Sequence, residues 1–348
     1  MAVYTRLLMG GLTQAGIRHP LITAAEPVPG VLPETELPNV QVVRSLFWTS
    51  LRPFVFRKLV AWARAHDTAL IHGLSAVAAP LCAKLAQALE VPYVVTVHHF
   101  QKRGALRPEH RCGGFIAVSE SLRENLVNDA HVPKELIRLI PTGVRVPGAP
   151  TARPAVGQPG AAGAVPLVSS FGKLIPRKDY HCFLKAARLI VDKLGSECSF
   201  VIAGDGPTES ALRKLARELG IAKQVTFCHG AIAHEAVLAD TDVYVQCSRG
   251  EGFGTMALLA MAQGVPVVAT STGGLLTLVR DGETGFLVPV GDHQALADRV
   301  LKLLTDHELR RRCGDAARSI ALADFNLDQM LSRTIALYSE ALGTPARG

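Results

Sequence analysis

Residues 242–274, which read DVYVQCSRGEGFGTMALLAMAQGVPVVATSTGG, combine two apolar runs with a glycine-rich turn. The run 243–245 predicts a buried strand, residues 255–263 predict a helix, and 267–269 predict a second buried strand. Gly264 follows the helical pattern and can end the helix in the left-handed conformation. The segment therefore predicts a strand–helix–strand unit in which glycines lie at the helix N-terminus.

The turn before this helix contains groups that suit two different parts of one ligand. A helix N-terminus offers unpaired N–H groups and the positive end of the helix dipole, so it favours phosphate. Glu251 lies beside it and would repel phosphate, but its carboxylate suits hydroxyl groups. A nucleotide sugar carries both phosphate and hydroxyl groups, so the segment predicts a nucleotide-sugar site.

Length and composition exclude several classes of protein. A chain of 348 residues, 48% hydrophobic and 19% charged, is long enough for two globular domains. No apolar run approaches the ~20 residues that cross a bilayer, and no signal-peptide pattern is present. Seven scattered cysteines without a CxxC pair argue against a zinc site or a disulfide framework, and favour the cytoplasm. The net charge of +7 fits phosphate-bearing ligands or an anionic membrane surface, and no basic pattern indicates nucleic acid.

Alternating strand and helix patterns predict an α/β protein with two Rossmann-like domains and a cleft between their parallel sheets. The predicted N-terminal domain covers residues 1–146, and a linker rich in proline, glycine and alanine covers 147–164. The second domain covers 165–322, and a helix in 323–348 is expected to pack back toward the first domain. Residues 294–342 are predicted to be helical throughout.

Two features near the start of the chain leave alternatives open. Residues 4–14 predict a helix where a parallel α/β domain normally begins with a strand and a glycine-rich turn, so the first strand is expected to be missing. Residues 46–64 mix aromatic and basic side chains. They predict either an amphipathic helix that docks on a membrane or a helix packed on the sheet with exposed arginines.

Two further segments follow predicted strands, where parallel α/β proteins bind ligands. Lys173 and Lys178 could neutralise a diphosphate, although a lysine pair is more often solvated surface. Gly204 and Gly206 form a turn that could line a nucleotide base, and a plain turn explains them equally well. In the first domain, His98 ends a strand and could touch a sugar or move a proton, but a core histidine is the commoner outcome.

Taken together, these motifs resemble the family 4 retaining glycosyltransferases of the GT-B fold, and the resemblance covers nearly the whole chain. The family pattern places Glu-Gly-Phe-Gly after a strand and then a helix before Gly-x-Pro-Val-Val. The matching residues are Glu251-Gly252-Phe253-Gly254, Leu259-Ala260-Met261-Ala262 and Gly264-Val265-Pro266-Val267-Val268, with further matches at 172–178, 204–207, 116–122 and 279–289.

The resemblance implies transfer of a sugar from a nucleotide-diphosphate sugar to a hydroxyl acceptor, with retention of configuration and without a metal or other cofactor. It implies that Glu251 holds sugar hydroxyls, that Lys173 and Lys178 stabilise the diphosphate, and that His98 lies near the reacting sugar. The implied donor-binding set is Gly172, Lys173, Lys178, Gly204, Gly206, Glu251, Gly252, Phe253, Gly254, Thr255, Met256 and Leu259.

Three positions depart from the family pattern. Leu259 stands where the family has a second glutamate, and the loss of that carboxylate removes hydrogen bonds of about 1.5–3 kcal/mol to the nucleotide. Lys173 replaces an arginine, and Thr277 replaces another carboxylate near the donor. A transferase is therefore the first hypothesis. An inactive homologue that acts as a binding or partner protein is the second, and a sugar-nucleotide epimerase of the same fold is the third.

Overall fold

A computed structural model of the chain describes residues 2–23, 40–42, 52–145, 165–195, 198–229 and 234–343. The chain divides into two compact units. The first unit comprises Met1–Gly143 and Leu327–Gly348, and the second comprises Val144–Asn326. The predicted linker 147–164 lies outside the described residues.

The first unit is a parallel α/β structure. Its helices before the second unit are α1 (Ala2–Gln14), α2 (Arg52–Ala65), α3 (Ala79–Leu89) and α4 (Glu120–Asn128). Its strands are β1 (Leu21–Thr23), β2 (Val40–Val42), β3 (Ile71–Gly73), β4 (Tyr93–Val97), β5 (Cys112–Ala117) and β6 (Ile137–Leu139). The first two strands pair with each other, and the other four form a parallel sheet in the order β3-β4-β5-β6. All five residues of β4 are buried, as expected for an inner strand of a parallel sheet that is covered on both faces.

The second unit contains a larger parallel sheet. Its strands are β7 (Leu167–Phe171), β8 (Ser199–Ala203), β9 (Val225–Cys228), β10 (Val243–Gln246), β11 (Val267–Thr270) and β12 (Gly285–Val288). Their order in the sheet is β12-β11-β10-β7-β8-β9. Strand β7 therefore has β8 on one side and β10 on the other. Strands β8 and β9 were added on one side of β7, and strands β10 to β12 on the other, so the strand order reverses at β7. Ligands of open parallel sheets bind outside the carboxyl ends of the strands at such a reversal.

Helices of the second unit cover this sheet. They are α5 (Tyr180–Leu194), α6 (Glu209–Glu218), α7 (His234–Ala239), α8 (Thr255–Ala262), α9 (Leu275–Leu278), α10 (His293–Thr305) and α11 (His307–Asp324). The last helix of the chain, α12 (Leu327–Leu342), belongs to the first unit. Gly264 has a φ of +77° after α8, and the N–H of Val265 donates to the carbonyl of Ala260 at 3.0 Å. The predicted left-handed helix end is confirmed.

The prediction of an unbroken helical tail over residues 294–342 is wrong, because the structure has three helices there. The side chain of Asp306 accepts a hydrogen bond from the N–H of Leu309 at 2.9 Å and begins a new helix. Asn326 leaves helical geometry and forms an isolated β-bridge with Val144. An aspartate that serves as an N-cap competes with helix continuation, and the apolar periodicity does not reveal it.

None of the helices in the described part of the chain is both long and apolar enough to cross a membrane.

Candidate functional site

The site in the second unit is built where the carboxyl ends of β7 and β10 lie side by side. These strands pair directly, with Tyr244 in register with Ser169. The loop that follows β7 therefore meets the loop that follows β10. Their backbones are joined, because the N–H of Arg249 donates to the carbonyl of Arg177 at 2.8 Å. The Arg177 guanidinium in turn donates to the carbonyl of Gly250 at 2.6 Å.

A buried ion pair lies at the centre of these loops. The Lys178 Nζ donates to the Oε2 of Glu251 at 2.5 Å. The two side chains are 14% and 9% exposed. The structure thus brings together two residues that lie 73 positions apart in sequence and that were predicted to bind different parts of one ligand.

The electrostatics of the pair keep Glu251 ionised. Burial by itself raises the pKa of the Glu251 carboxyl. The Lys178 ammonium, the hydrogen bonds from Lys178 and Ser248, and the charge of Arg177 together outweigh burial and lower that pKa below its usual value. The site therefore holds a carboxylate at neutral pH.

Polar side chains of β10 and of the residues that follow it form a hydrogen-bond network with this carboxylate. The Tyr244 hydroxyl donates to the Oε1 of Gln246 at 2.9 Å. The Gln246 Nε2 donates to the Ser248 Oγ at 2.9 Å and to the Glu251 Oε2 at 3.3 Å. The Ser248 hydroxyl also donates to the Glu251 Oε2, at 3.0 Å. We call Lys178, Tyr244, Gln246, Ser248 and Glu251 the Glu251 cluster.

Sequence reasoning did not assign a role to Tyr244 or Gln246. The available signal was the alternation of polar positions 244, 246 and 248 in an otherwise apolar strand, since alternate residues of a strand point to the same face. The three donors of the cluster all reach Oε2, and none of the described residues donates to Oε1. Oε1 is therefore the oxygen of Glu251 that is left for a ligand.

The N-terminus of α8 lies directly after this carboxylate. Gly254 precedes the helix with a φ of +103°, and no side chain caps the helix N-terminus. A Cβ at Gly254 would lie 2.8 Å from the Cδ2 of Leu275, so both backbone conformation and space require glycine here. The first-turn N–H groups at Thr255 and Met256 are consequently placed as an anion-binding helix end requires.

Close packing of the backbone explains why two positions of the predicted donor-binding set are glycines. A Cβ at Gly204 would lie 2.0 Å from the carbonyl oxygen of Gly172, and one at Gly206 would lie 2.3 Å from that of Leu174. These glycines hold the loop after β8 against the loop after β7. Their close backbone approach accounts for glycine at both positions without a ligand.

The other members of the predicted set occupy different environments. Lys173 is exposed. Gly252 is buried, and Phe253 is a core residue whose ring meets that of Phe325 edge-on with centroids 5.8 Å apart. Leu259 is 9% exposed on α8. Phe253 therefore supports the turn through packing, whereas Lys173 has the exposure that a phosphate-binding lysine requires.

His98 belongs to the first unit and follows β4. Its ring meets the Tyr4 ring edge-on with centroids 4.7 Å apart. Burial lowers the pKa of His98 to about 3, so the imidazole is neutral. Its Nε2 is buried and has no hydrogen-bond partner among the described residues. A buried polar atom without a partner is rare.

A second polar cluster in the first unit was not predicted from the sequence. The Nε2 of His72 lies 2.7 Å from the Thr96 Oγ1, and its Nδ1 lies 2.5 Å from the Tyr338 hydroxyl. The Tyr4 hydroxyl completes the chain at 3.2 Å from the same Thr96 oxygen. We call His72, Thr96, Tyr4 and Tyr338 the His72 cluster. Burial lowers the pKa of His72 to about 3, so its neutral ring donates from one nitrogen and accepts at the other.

Curated relatives match about half of the chain. One is the N-acetyl-alpha-D-glucosaminyl L-malate synthase of Bacillus anthracis, 32% identical over 152 residues, which are 44% of this chain and 40% of the relative. Another is the alpha-D-kanosaminyltransferase of Streptomyces kanamyceticus, 33% identical over 50% of this chain and 46% of the relative. The chain spans about half the length of the curated relatives it matches.

Solved structures match the fold over almost the full chain. HepE of Anabaena, crystallised with UDP-glucose, has a TM-score of 0.82 at 21% identity and covers 97% of this chain and 95% of its own. The sucrose-phosphate synthase of Thermosynechococcus elongatus has a TM-score of 0.77 at 23% identity and covers 98% and 93%. The GT-B fold predicted from the sequence is confirmed.

Two family models match consecutive parts of the chain. The model described as Glycosyltransferase Family 4 matches residues 1–146, and the model described as Glycosyl transferases group 1 matches residues 157–320. The second match contains the whole Glu251 cluster. The chain belongs to the group 1 glycosyltransferases of family 4.

Proposed function

We propose that this chain transfers a sugar from a nucleotide-diphosphate sugar to a hydroxyl group of an acceptor. The observation that carries the proposal is the buried pair of Lys178 and Glu251 beside the uncapped N-terminus of α8. The curated relatives are named for the synthesis or transfer of sugar conjugates, which supports the proposal. The HepE structure, which contains UDP-glucose, supports it as well.

In the proposed reaction the bond between the anomeric carbon and the diphosphate breaks, and a bond from that carbon to the acceptor oxygen forms. The acceptor hydroxyl gives up its proton to the departing diphosphate oxygen, so atoms and charge balance. Negative charge develops on the departing diphosphate, where positioned positive groups lower the barrier most effectively. Lys178, the exposed Lys173 and the first N–H groups of α8 would stabilise that charge, so we propose that no metal ion is needed.

Glu251 would orient the sugar. Its Oε2 is held by Lys178, Gln246 and Ser248, so Oε1 would accept hydrogen bonds from sugar hydroxyls. We further propose, from the family resemblance, that the transfer retains the anomeric configuration and that His98 lies near the sugar as a neutral imidazole. The acceptor would be a lipid-linked, polysaccharide or small-molecule hydroxyl, and the reaction would take place in the cytoplasm.

Thermal unfolding of the purified chain with millimolar UDP, GDP, ADP and their sugar conjugates tests the proposal. A ligand at about a hundred times its dissociation constant adds about 2.7 kcal/mol to stability. We expect one base to raise the unfolding temperature. Release of the free nucleotide from the matching sugar conjugate, measured with a panel of acceptors, then tests transfer. A folded protein that responds to no nucleotide would contradict a donor site and favour an inactive partner protein.

Leu259 provides a second arm of this test. The family resemblance places a carboxylate there that holds the ribose, and a charge-assisted hydrogen bond contributes about 1.5–3 kcal/mol. We therefore expect Leu259→Glu to tighten nucleotide binding by about tenfold or more. Leu259→Gln, which has the same shape without the charge, is the matched control. Equal affinities of the two variants and the parent would show that this position does not contact the nucleotide.

A further inference from the structure

Tyr180, the first residue of α5, directs its hydroxyl group at the loop that follows β7. The residue is 2% exposed. Its hydroxyl donates to the carbonyl of Gly172 at 3.1 Å. Burial raises the pKa of this hydroxyl, so it keeps its proton and acts as a donor. The Gly172 carbonyl belongs to the peptide bond that leads into Lys173, so Tyr180 contacts the backbone directly before that lysine.

The backbone on both sides of Lys173 is held in place, whereas the lysine itself is exposed. On one side, the Gly172 carbonyl accepts the hydrogen bond from Tyr180. On the other side, Leu174 is fully buried, and its N–H donates to the carbonyl of Asp205 at 2.9 Å. Among the described residues, Tyr180 is the one side chain that hydrogen-bonds the backbone of this stretch. The direction in which the lysine leaves the loop therefore depends on the Tyr180 hydroxyl.

The same hydroxyl lies beside the second lysine of the site. A Cβ at Gly172 would lie 3.4 Å from the Tyr180 hydroxyl oxygen, 3.5 Å from the Lys178 Cε and 3.9 Å from the Lys178 Nζ. Both side chains therefore border the same small space above Gly172, and the Lys178 Nζ continues from there to Glu251. Tyr180 thus contacts the backbone before one lysine and lies beside the side chain of the other.

We propose that Tyr180 is a positioning residue, which holds the loop after β7 so that Lys173 and Lys178 face the departing diphosphate together. The inference rests on the proposed function and deepens it, since it assigns what fixes the two ammonium groups. A lysine has a long flexible stem and loses rotamer freedom when its ammonium is held. Groups that stabilise developing charge lower the barrier most when they are in place before the charge develops.

Hydrogen exchange of the ligand-free full chain tests the positioning by itself. Tyr180→Phe keeps the ring and removes the hydroxyl, so the hydrogen-bonded amides of Gly172 and Leu174 should exchange about fivefold faster. Tyr93→Phe is the matched control in the first unit. Tyr93 is 1% exposed, and its hydroxyl accepts from the N–H of Glu109 at 3.1 Å. The control should leave both amides at the parent's exchange rate.

Steady-state transfer kinetics test whether Tyr180 acts through the lysines. Tyr180→Phe should lower kcat by about tenfold and leave the KM for the acceptor unchanged, because the lost interaction concerns the departing diphosphate. In a Lys173→Met background the same substitution should lower kcat by less than about threefold, because residues that act together are not additive. Tyr93→Phe should change kcat by the same small factor in both backgrounds.

Three results would overturn the inference. The first is exchange of the Gly172 and Leu174 amides at the parent's rate in Tyr180→Phe. The second is an equal loss of kcat from Tyr180→Phe with and without Lys173, which would show that the tyrosine does not act through that lysine. The third is an equal loss of kcat in Tyr93→Phe. If the parent transfers no sugar, the transferase proposal fails, and the exchange rates alone decide whether Tyr180 holds the loop.

Discussion

The Glu251 cluster and the His72 cluster are both polar groups enclosed by their own units, yet the first carries charge and the second is neutral. Glu251 keeps its charge, because Lys178 lies within hydrogen-bonding distance and the net effect lowers the carboxyl pKa. His72 loses its charge, because its two partners are neutral hydroxyl groups and burial dominates its pKa.

The difference shows that the partner, and not the depth of burial, decides whether a polar cluster carries charge. A charged cluster suits a ligand that brings phosphate and hydroxyl groups. Its ammonium can bind the phosphate, and its carboxylate can bind the hydroxyl groups. A neutral cluster suits a structural role, since its hydrogen bonds join helices α1 and α12 to strands β3 and β4 of the same unit. The two clusters should therefore respond differently to acid and to substitution.

Mild acid should give the largest effect, and it should act through the first unit. His72 and His98 have folded-state pKa values of about 3 against a usual value of 6.5. The unfolded chain therefore binds protons first, and the stability from both histidines is lost as pH falls from 6.5 toward 3. The expected loss is about 4 kcal/mol for the two together at about pH 5.

Chemical denaturation at about pH 7.5 and about pH 5 measures this loss. His72→Gln should remove about half of the pH dependence in that window. Glu251→Gln should leave it unchanged, because the pKa of Glu251 is lowered from 4.5, so that its contribution is lost only at more acidic pH. A stability that does not change over this range would contradict the neutral state of the histidines.

Glu251→Ala should have the next largest effect, because it leaves the Lys178 ammonium buried without its partner. Removing one member of a buried pair costs about 3–5 kcal/mol. We expect a loss of about 3 kcal/mol in the free energy of unfolding at neutral pH, with a loss of sugar-nucleotide binding. Glu251→Gln keeps the shape and some hydrogen bonds and should lose less stability. Equal stability of Glu251→Ala and the parent would show that the ion pair is not formed in solution.

Tyr244→Phe tests whether the hydrogen bond from Tyr244 to Gln246 helps to hold the Glu251 carboxylate in place. The substitution removes the hydroxyl that donates to Gln246, so the buried amide loses a partner and Glu251 loses its orientation. We expect about 1–3 kcal/mol of lost stability and weaker binding of sugar nucleotides than of free nucleotides. Calorimetric titration with both ligands separates the two effects. If both affinities stay at the parent value, Tyr244 does not position Glu251.

The same substitution in the first unit should give the smallest effect. Tyr4→Phe removes one neutral hydrogen bond, to Thr96 at 3.2 Å, and keeps the ring against His98. A loss of about 1 kcal/mol is expected, without a change in nucleotide affinity. Thermal unfolding of Tyr4→Phe beside Tyr244→Phe compares the two clusters directly. A larger loss from Tyr4→Phe would reverse the comparison.

Local patterns predicted most elements of the fold. The apolar runs 243–245 and 267–269 located β10 and β11 to within one residue, because a short apolar run between turn residues has few alternatives in a parallel sheet. Helix α5 begins at Tyr180 because the Asp179 side chain accepts a hydrogen bond from the N–H of Cys182 at 3.4 Å. Caps depend on one side chain and one backbone geometry, so periodicity does not locate them.

The sequence by itself determined the glycine turn, Glu251, Lys178 and the α/β alternation, because each depends on neighbours within a few residues. Only the tertiary structure decided that Lys178 pairs with Glu251 and that Tyr244 and Gln246 support that carboxylate. It alone joined His72 to Tyr338 across 266 positions. Those contacts follow from strand order and helix packing, which bring distant residues together, and no local pattern along the chain encodes such distances.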